Sequence, residues 1–306
     1  MKVLLAVDGS PCSQAAVESL LNTQFDKDAQ IQVVSVVDFY EPLPAIEGAK
    51  EKEIEQAKTL VQQTVEKLQA KFPDNKISGA TLDGYTQEEL VSAAQTLPAD
   101  LLIVGSHGRG GLSLILLGSV SRALIQSAPC AVRISRIQEN GGSKPGSTFN
   151  VLLPLDESGH SKHTMQHVLA SHFPSGVKFK CITIIPRVTA PLIPETKEHK
   201  EERLFHHEEL RRQAHGWLEN CVDQLDTKFG AGSASCEVLS GDSRERIIEH
   251  AKEWPANLIM LGSHGRKMLN RLVLGSTAET VAAHAPCSVE ITRAPGEYHK
   301  KTHIIM

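Results

Sequence analysis

Two stretches of this chain set glycine, serine, histidine and arginine at a spacing that suits phosphate. Gly105 and Gly108 form G-x-x-G, nine residues follow, and Gly118 and Ser119 open a helical pattern. Gly262, Gly265, Gly275 and Ser276 repeat the arrangement at the same spacing. Glycines let the backbone take turns closed to other residues and let a ligand approach the amides closely. A helix N-terminus beyond them offers unpaired N–H groups and partial positive charge, which together favour an anion. Ser119 and Ser276 are each placed to cap the helix or to turn a hydroxyl toward a phosphate oxygen. Ser276 with Glu279 also reads as an S-x-x-E capping box. Turn glycines and capping serines alone would account for either copy, but the full spacing found twice in register favours the phosphate role.

Upstream of each loop an apolar run ends in a carboxylate, VLLAVDGSPCS with Asp8 and VLLPLDESGHS with Asp156. Ser10 and Pro11 read as the N-cap and first residue of a helix. Asp8 is then left for an Asx turn or, the favoured role, for the hydroxyls of a ribose. His107 and His264 sit inside the glycine loops with no carboxylate or serine partner legible in sequence, so they read as phosphate-contacting or solvated groups before general bases. Arg109 and Arg266 suit either phosphate or water. His199, His206, His207 and His215 lie in a Glu-rich helical stretch and read as solvated, not as metal ligands. Cys130 and Cys287, each after Ala-Pro, read as core residues. No residue is assigned a catalytic or metal-binding role.

The elements that must hold these residues follow from an internal repeat. LLIVGSHGRGG (101–111) matches LIMLGSHGRKM (258–268), each followed by LGS and then APC at an offset of 157, whereas the N-terminal apolar runs match at an offset of 148. The second copy has therefore gained nine residues, placed here around 186–207, where a loop enters a longer helix. In the first copy, apolar β-branched runs at 3–7, 31–37, 77–82, 101–104 and 130–134 alternate with helical patterns at 11–21, 50–72, 86–95 and 119–127. Alternation of this kind requires right-handed crossovers and a parallel sheet covered on both faces. The expected fold is α/β: two tandem doubly wound domains, each a five-stranded parallel sheet of order 3-2-1-4-5. Ligands in such sheets bind at the carboxyl ends of the strands where the order reverses, which puts Asp8 beside Gly105 and Asp156 beside Gly262. The domains are expected at 1–137 and 149–294, with a Gly/Ser/Pro-containing linker at 138–148 (QENGGSKPGS at its core) and a tail at 295–306.

Composition narrows the classes. The chain has 306 residues, enough for two domains of ordinary size, and its net charge of −4 with no basic cluster sets nucleic acid aside. The opening apolar run is too short for a signal peptide and no later one approaches a membrane span, so a cytoplasmic protein is expected. Six cysteines without a CxxC pair fit reduced thiols.

VDGS and LDES at the first strand ends, with IVGSHGR, the nine-residue spacing, LGS and APC, resemble the universal stress protein family, specifically its tandem class and its ATP-binding branch. The resemblance covers both copies and leaves out the linker and the stretch after about Arg293. It implies ATP bound by Ala6, Asp8, Gly105, Ser106, His107, Gly108, Arg109, Gly118, Ser119, Val120 and Ser121, with the end of the second strand near the adenine. For the second copy it implies Pro154, Asp156, Gly262, Ser263, His264, Gly265, Arg266, Gly275, Ser276 and Thr277. Magnesium is an optional companion, and AMP and ADP stay open as ligands. The family's habit of dimerising through the fifth strand implies an internal pseudo-dimer of the two copies; a homodimer of whole chains and a protein partner stay open.

Lys267 and Met268 replace Gly110 and Gly111, and Glu279 replaces Arg122, so the two sites are expected to differ several-fold in affinity, the first being tighter. The implied function is an ATP-binding, nucleotide-dependent regulator or sensor in a stress response. A slow ATPase or adenylyl-transferring enzyme is the rival, disfavoured because no GxxxxGK[ST] loop is present and DGSPCS and DESGHS stand where an SGGxDS-type loop would. An interaction module holding nucleotide as a structural ligand is the third reading.

Overall fold

The computed structural model describes residues 1–38, 49–108, 117–137, 148–188, 196–265 and 274–294. The first half runs β1 (Lys2–Ala6), α1 (Pro11–Leu21), β2 (Gln30–Val37), α2 (Ala49–Lys71), β3 (Lys76–Asp83), α3 (Thr86–Thr96), β4 (Leu101–Gly105), α4 (Ser119–Ser127) and β5 (Ala131–Ser135). The second half repeats it as β6 (Asn150–Pro154), α5 (Gly159–Ala170), β7 (Lys178–Ile185), α6 (Lys197–Phe229), β8 (Ala234–Ser240), α7 (Ser243–Glu253), β9 (Leu258–Gly262), α8 (Ser276–His284) and β10 (Ser288–Thr292). Short apolar strands joined by helices cannot pair as hairpins, and each half forms a parallel sheet of order 3-2-1-4-5. The central strands are buried on both faces, as parallel strands must be: Leu4, Leu102 and Val132 face α3 and α4, while Val3, Leu5 and Ile103 face α1 and α2.

The half-sheets meet edge to edge. β5 pairs antiparallel with β10, making one sheet of order β3-β2-β1-β4-β5-β10-β9-β6-β7-β8. This pairing removes the two edges that would otherwise present open backbone groups. On the α3/α4 side one core runs unbroken through both halves, from Leu4 and Leu124 to Ile259 and Val281. On the other side each half keeps its own core.

The ladder carries its own pseudo-symmetry. Arg133 and Glu290 occupy equivalent places and stand opposite each other in the β5/β10 register. Their side chains form a buried ion pair, Arg133 Nη2 to Glu290 Oε2 at 2.7 Å, and His167 Nε2 lies 2.7 Å from the other carboxylate oxygen. Burial alone would raise the Glu290 carboxyl, but the Arg133 guanidinium and the His167 ring hold it at about 2. Arg136 donates from the first half to the carbonyls of Ala282 and Ala283 at the end of α8, and Arg293 donates back to Ile125 O in α4. Each half thus places a cation at the C-terminal end of the other's last helix, where the dipole favours it.

The extra length of the second half lies within a helix. α6 has 33 residues and α2 has 23, and α6 begins 148 positions after α2 but ends 158 after it. The longer helix matches expectation; the gain is added helical turns, with Thr196 as N-cap accepting from His199 N. Among the described residues no helix is long and apolar enough to cross a membrane.

Candidate nucleotide-binding site

β1 pairs with β2 on one side and β4 on the other, so the chain leaves β1 and β4 in opposite directions and opens a crevice at their carboxyl ends. A cavity of about 360 Å³ occupies it, within the size range of small-ligand sites. Asp8, Gly105, His107, Gly108, Gly118, Ser119 and Ser121 line its polar side; Ala6, Val34, Val36, Leu90, Val104 and Val120 line its apolar side. The expected site residues Ala6, Asp8, Gly105, His107, Gly108 and Gly118 to Ser121 are therefore brought together. Ser106 instead turns inward, its hydroxyl 3.4 Å from Cys12 Sγ. Arg109 and Arg266, with the Lys267 and Met268 contrast, lie outside the described residues.

The loop glycines work by close approach and not by unusual backbone angles, since none of Gly105, Gly108 and Gly118 has positive φ. A Cβ on Gly105 would lie 2.7 Å from the backbone of Cys12, so its bareness lets α1 pack on the end of β4. A Cβ on Gly108 would lie 2.9 Å from Asp8 Oδ2, which sets the carboxylate directly against the loop backbone. Gly118 comes within a Cβ's reach of Ser106 O, 3.1 Å, and its N–H donates to that carbonyl. The second half repeats each approach: Gly262 on His160, Gly265 on Asp156 and Gly275 on Ser263.

Two expectations change, and Asp8 takes up one of the two roles expected of it. Gly118 and Gly275, not Ser119 and Ser276, are the N-caps of α4 and α8, and no side chain caps either helix. The serines fall one position later, inside the first turn, where their hydroxyls do not reach back to the cap. The Ser276–Glu279 capping box is accordingly absent; Glu279 reaches across to Arg122, Nη1 to Oε1 at 3.0 Å. These two charges pair with each other between the halves. Asp8 does have local work: its Oδ1 accepts from Ser10 N at 2.9 Å in an Asx turn, and Asp156 does the same with Ser158 N at 3.2 Å. Ser10 and Ser158 cap α1 and α5 as expected.

The uncapped first turn of α4 leaves the amides of Ser119, Val120 and Ser121 at the rim of the cavity, with Ser121 Oγ fastened to Gly105 O at 2.7 Å. The His107 ring is held below its ordinary pKa, first by burial and then by the Arg136 charge, and is neutral at pH 7. A neutral ring can donate to or accept from a ligand but adds no cation. Cys130 and Cys287 are buried thiols pushed up to about 12 by desolvation, as core residues should be. His199, His206, His207 and His215 are spread along α6, and among the described residues no group of three or more His, Cys, Asp or Glu side chains is arranged to hold a metal.

Sequence reasoning missed Thr86 and Leu90, which bring α3 over the cavity, and Ser13, whose Oγ accepts from Asp8 N at 3.1 Å. Leu90 belongs to the apolar face of an ordinary amphipathic helix, so no motif marks it. Only the expected strand order, with α3 crossing back over β1, could have pointed to it.

Two doubly wound halves joined through their last strands, each with a glycine loop at its switch point and the first with a cavity of about 360 Å³ there, define a tandem α/β protein. The chain belongs to the universal stress protein family, whose family model matches residues 1–136 and 148–293. It is 34% identical over 137 residues to a universal stress protein of Methanocaldococcus jannaschii, covering 44% of this chain and 80% of that protein. A universal stress protein of Mycobacterium tuberculosis is 25% identical over 320 residues, covering 96% of this chain and 95% of the relative. The crystal structure of a universal stress protein from Archaeoglobus fulgidus superposes with a TM-score of 0.62 at 19% identity, over 95% of this chain and 96% of that one, a likeness of fold.

Proposed function

We propose that the chain binds an adenine nucleotide, ATP in the first instance, in the cleft between β1 and β4, and acts as a cytoplasmic nucleotide-dependent regulator in a stress response. One observation carries this reading. An uncapped helix N-terminus, a bare glycine loop and a strand-end carboxylate converge on a single cavity of about 360 Å³. The amides of Ser119, Val120 and Ser121 suit phosphate oxygens, Asp8 suits ribose hydroxyls, and the floor of Ala6, Val34 and Val36 suits an apolar purine face. The second half keeps the same phosphate-facing backbone around Gly265, Gly275 and Ser276. Asp8 is the one carboxylate among the described residues lining the cleft, so a magnesium ion there would be held chiefly by the phosphates themselves, as is usual for that ion. Six free cysteines, five of them buried, fit a reducing compartment. The expected partner is a protein that reads the nucleotide-bound state.

The test is mass spectrometry of the supernatant after denaturing protein purified without added nucleotide. ATP, ADP or AMP near molar proportion supports the reading; none, together with no ATP binding by calorimetry, would sink it. A turnover assay on the same preparation is expected to show no ATP consumption beyond background, and sustained multiple turnover would move the protein to the enzyme class.

A further inference from the structure

We infer that the two clefts accept nucleotide unequally, the second being filled at the base end by its own side chains so that ATP binds there at least tenfold more weakly. The inference rests on the reading of the first cleft as a nucleotide site. Register makes the comparison direct: Ala6 pairs with Val34 in the first half, and Pro154 pairs with Ile182 at the same place in the second. Where Ala6, Val34, Val36 and Val104 line the first cleft, the second half has Pro154, Ile182, Ile184 and Leu261. Every one of these replacements is larger. Ile182 and Leu261 lie in the continuous core, buried against neighbours that leave them little room to withdraw.

A second observation concerns the mouth. Thr86 and Val120 flank the first cleft from α3 and α4. Their counterparts Ser243 and Thr277 are joined by a hydroxyl–hydroxyl hydrogen bond of 3.0 Å, tying α7 to α8. Ser243 is smaller than Thr86, but the bond spans the place where a ligand would pass between the two helices. A third observation concerns the histidine. His107 is half-buried and lines the first cavity, whereas His264 is 8% exposed and packs on His160, the rings 5.0 Å apart. Cys12 holds the place of His160 in the first half, too small to draw His107 inward in the same way. The phosphate-facing backbone is thus kept in both halves while the base end differs, so discrimination comes from shape and not from charge.

Calorimetric titration of ATP into the nucleotide-stripped full chain should give one tight site, with any second event at least tenfold weaker. Opening the second cleft with Pro154→Ala, Ile182→Val, Ile184→Val and Leu261→Val should bring its affinity to within a few-fold of the first. The reciprocal filling, Val34→Ile, Val36→Ile and Val104→Leu, should weaken the tight site at least tenfold while the melting curve stays cooperative. That arm keeps the inference testable if the opened variant does not fold. Two equal sites in the unaltered chain, or a filled first cleft that binds as before, would overturn the inference and leave the nucleotide reading standing. No ATP binding at either cleft would remove the nucleotide reading, and the inference with it.

Discussion

The two halves use one backbone plan, yet several equivalent positions where the halves touch each other or frame a cleft carry opposite or unequal side chains. Arg133 answers to Glu290, Arg122 to Glu279, Val34 to Ile182 and Gly9 to Glu157. In a dimer of identical chains each of the first two positions would meet itself, arginine on arginine or glutamate on glutamate. Within one chain the copies are free to diverge, and the divergence gives each half a partner of opposite charge. The symmetric contacts survive beside the asymmetric ones, as Arg136 and Arg293 show by reaching across to equivalent carbonyls. A repeat therefore specifies the architecture, and its departures specify which half does what.

The largest expected effect comes from breaking that complementarity at its buried centre. Arg133 is 6% exposed and Glu290 fully buried, so Arg133→Met leaves a carboxylate without its main counter-charge inside the protein. Removing one member of a buried pair costs about 3–5 kcal/mol. Replacing both, with Arg133→Met and Glu290→Met, should recover most of the loss. Urea denaturation of the single and double variants checks this; a single variant within about 1 kcal/mol of the parent would show that the pair does not hold the halves together.

The same carboxylate predicts an acid-sensitive interface. Glu290 is held at about 2 against an ordinary 4.5, so the folded value is the depressed one. Its contribution is complete above the unfolded pKa and fades as pH falls from about 4.5 toward 2, amounting to roughly 3 kcal/mol over that window. Melting temperature should fall more steeply there for the parent chain than for Glu290→Gln, which starts lower but has no such group to protonate. Parallel curves would assign the acid sensitivity to other carboxylates.

Gly108→Asp sharpens the comparison at the clefts. The new side chain would begin 2.9 Å from Asp8 Oδ2 and set a second negative charge where phosphate is expected. Like charges at that range repel by about 1 kcal/mol in water and by several in a partly dry cleft. ATP affinity measured by calorimetry should drop at least about tenfold. Gly265→Asp makes the same clash with Asp156 but should leave the tight event nearly unchanged. Equal losses from the two variants would restore the equivalence of the clefts.

Much of this was legible from the chain alone, and the parts that were not share a cause. The repeat, the strand order and the convergence of Asp8 with the Gly108 loop follow from local patterns, because apolar runs, proline at a helix start and a strand-end carboxylate act within a few residues. The helix caps of α4 and α8 were misread because Gly-Ser permits either residue to be the cap, and only backbone direction decides. The pairing of Arg122 with Glu279 was hidden for a different reason: their meeting depends on how the two halves dock, which no window of sequence contains. The Val-to-Ile replacements behind the inferred inequality of the clefts are present in the sequence, but they carry meaning only once the face of each strand is known.

The smallest effect lies at the turn before the first helix of each half. Gly9 has φ of 80° and its counterpart Glu157 has φ of 62°, so the second half places a side chain in the left-handed region that the first half reserves for glycine. That conformation costs a non-glycine residue about 1–2 kcal/mol. Glu157→Gly removes the strain but adds freedom to the unfolded chain, which returns about 0.5–1 kcal/mol in the opposite direction. The net expectation is a gain of up to about 1 kcal/mol, or a rise of about 2–4 °C per kcal/mol in melting temperature for a domain of this size. Gly9→Ala should lose about 1 kcal/mol, since its Cβ would meet only Leu60 Cδ2 at an ordinary 3.7 Å and the cost is conformational. Differential scanning calorimetry of both variants reads the two signs. If Glu157→Gly is instead destabilising by more than about 1 kcal/mol, the Glu157 carboxylate makes a compensating interaction in the second half that outweighs its strained backbone, and the two turns differ in more than conformation.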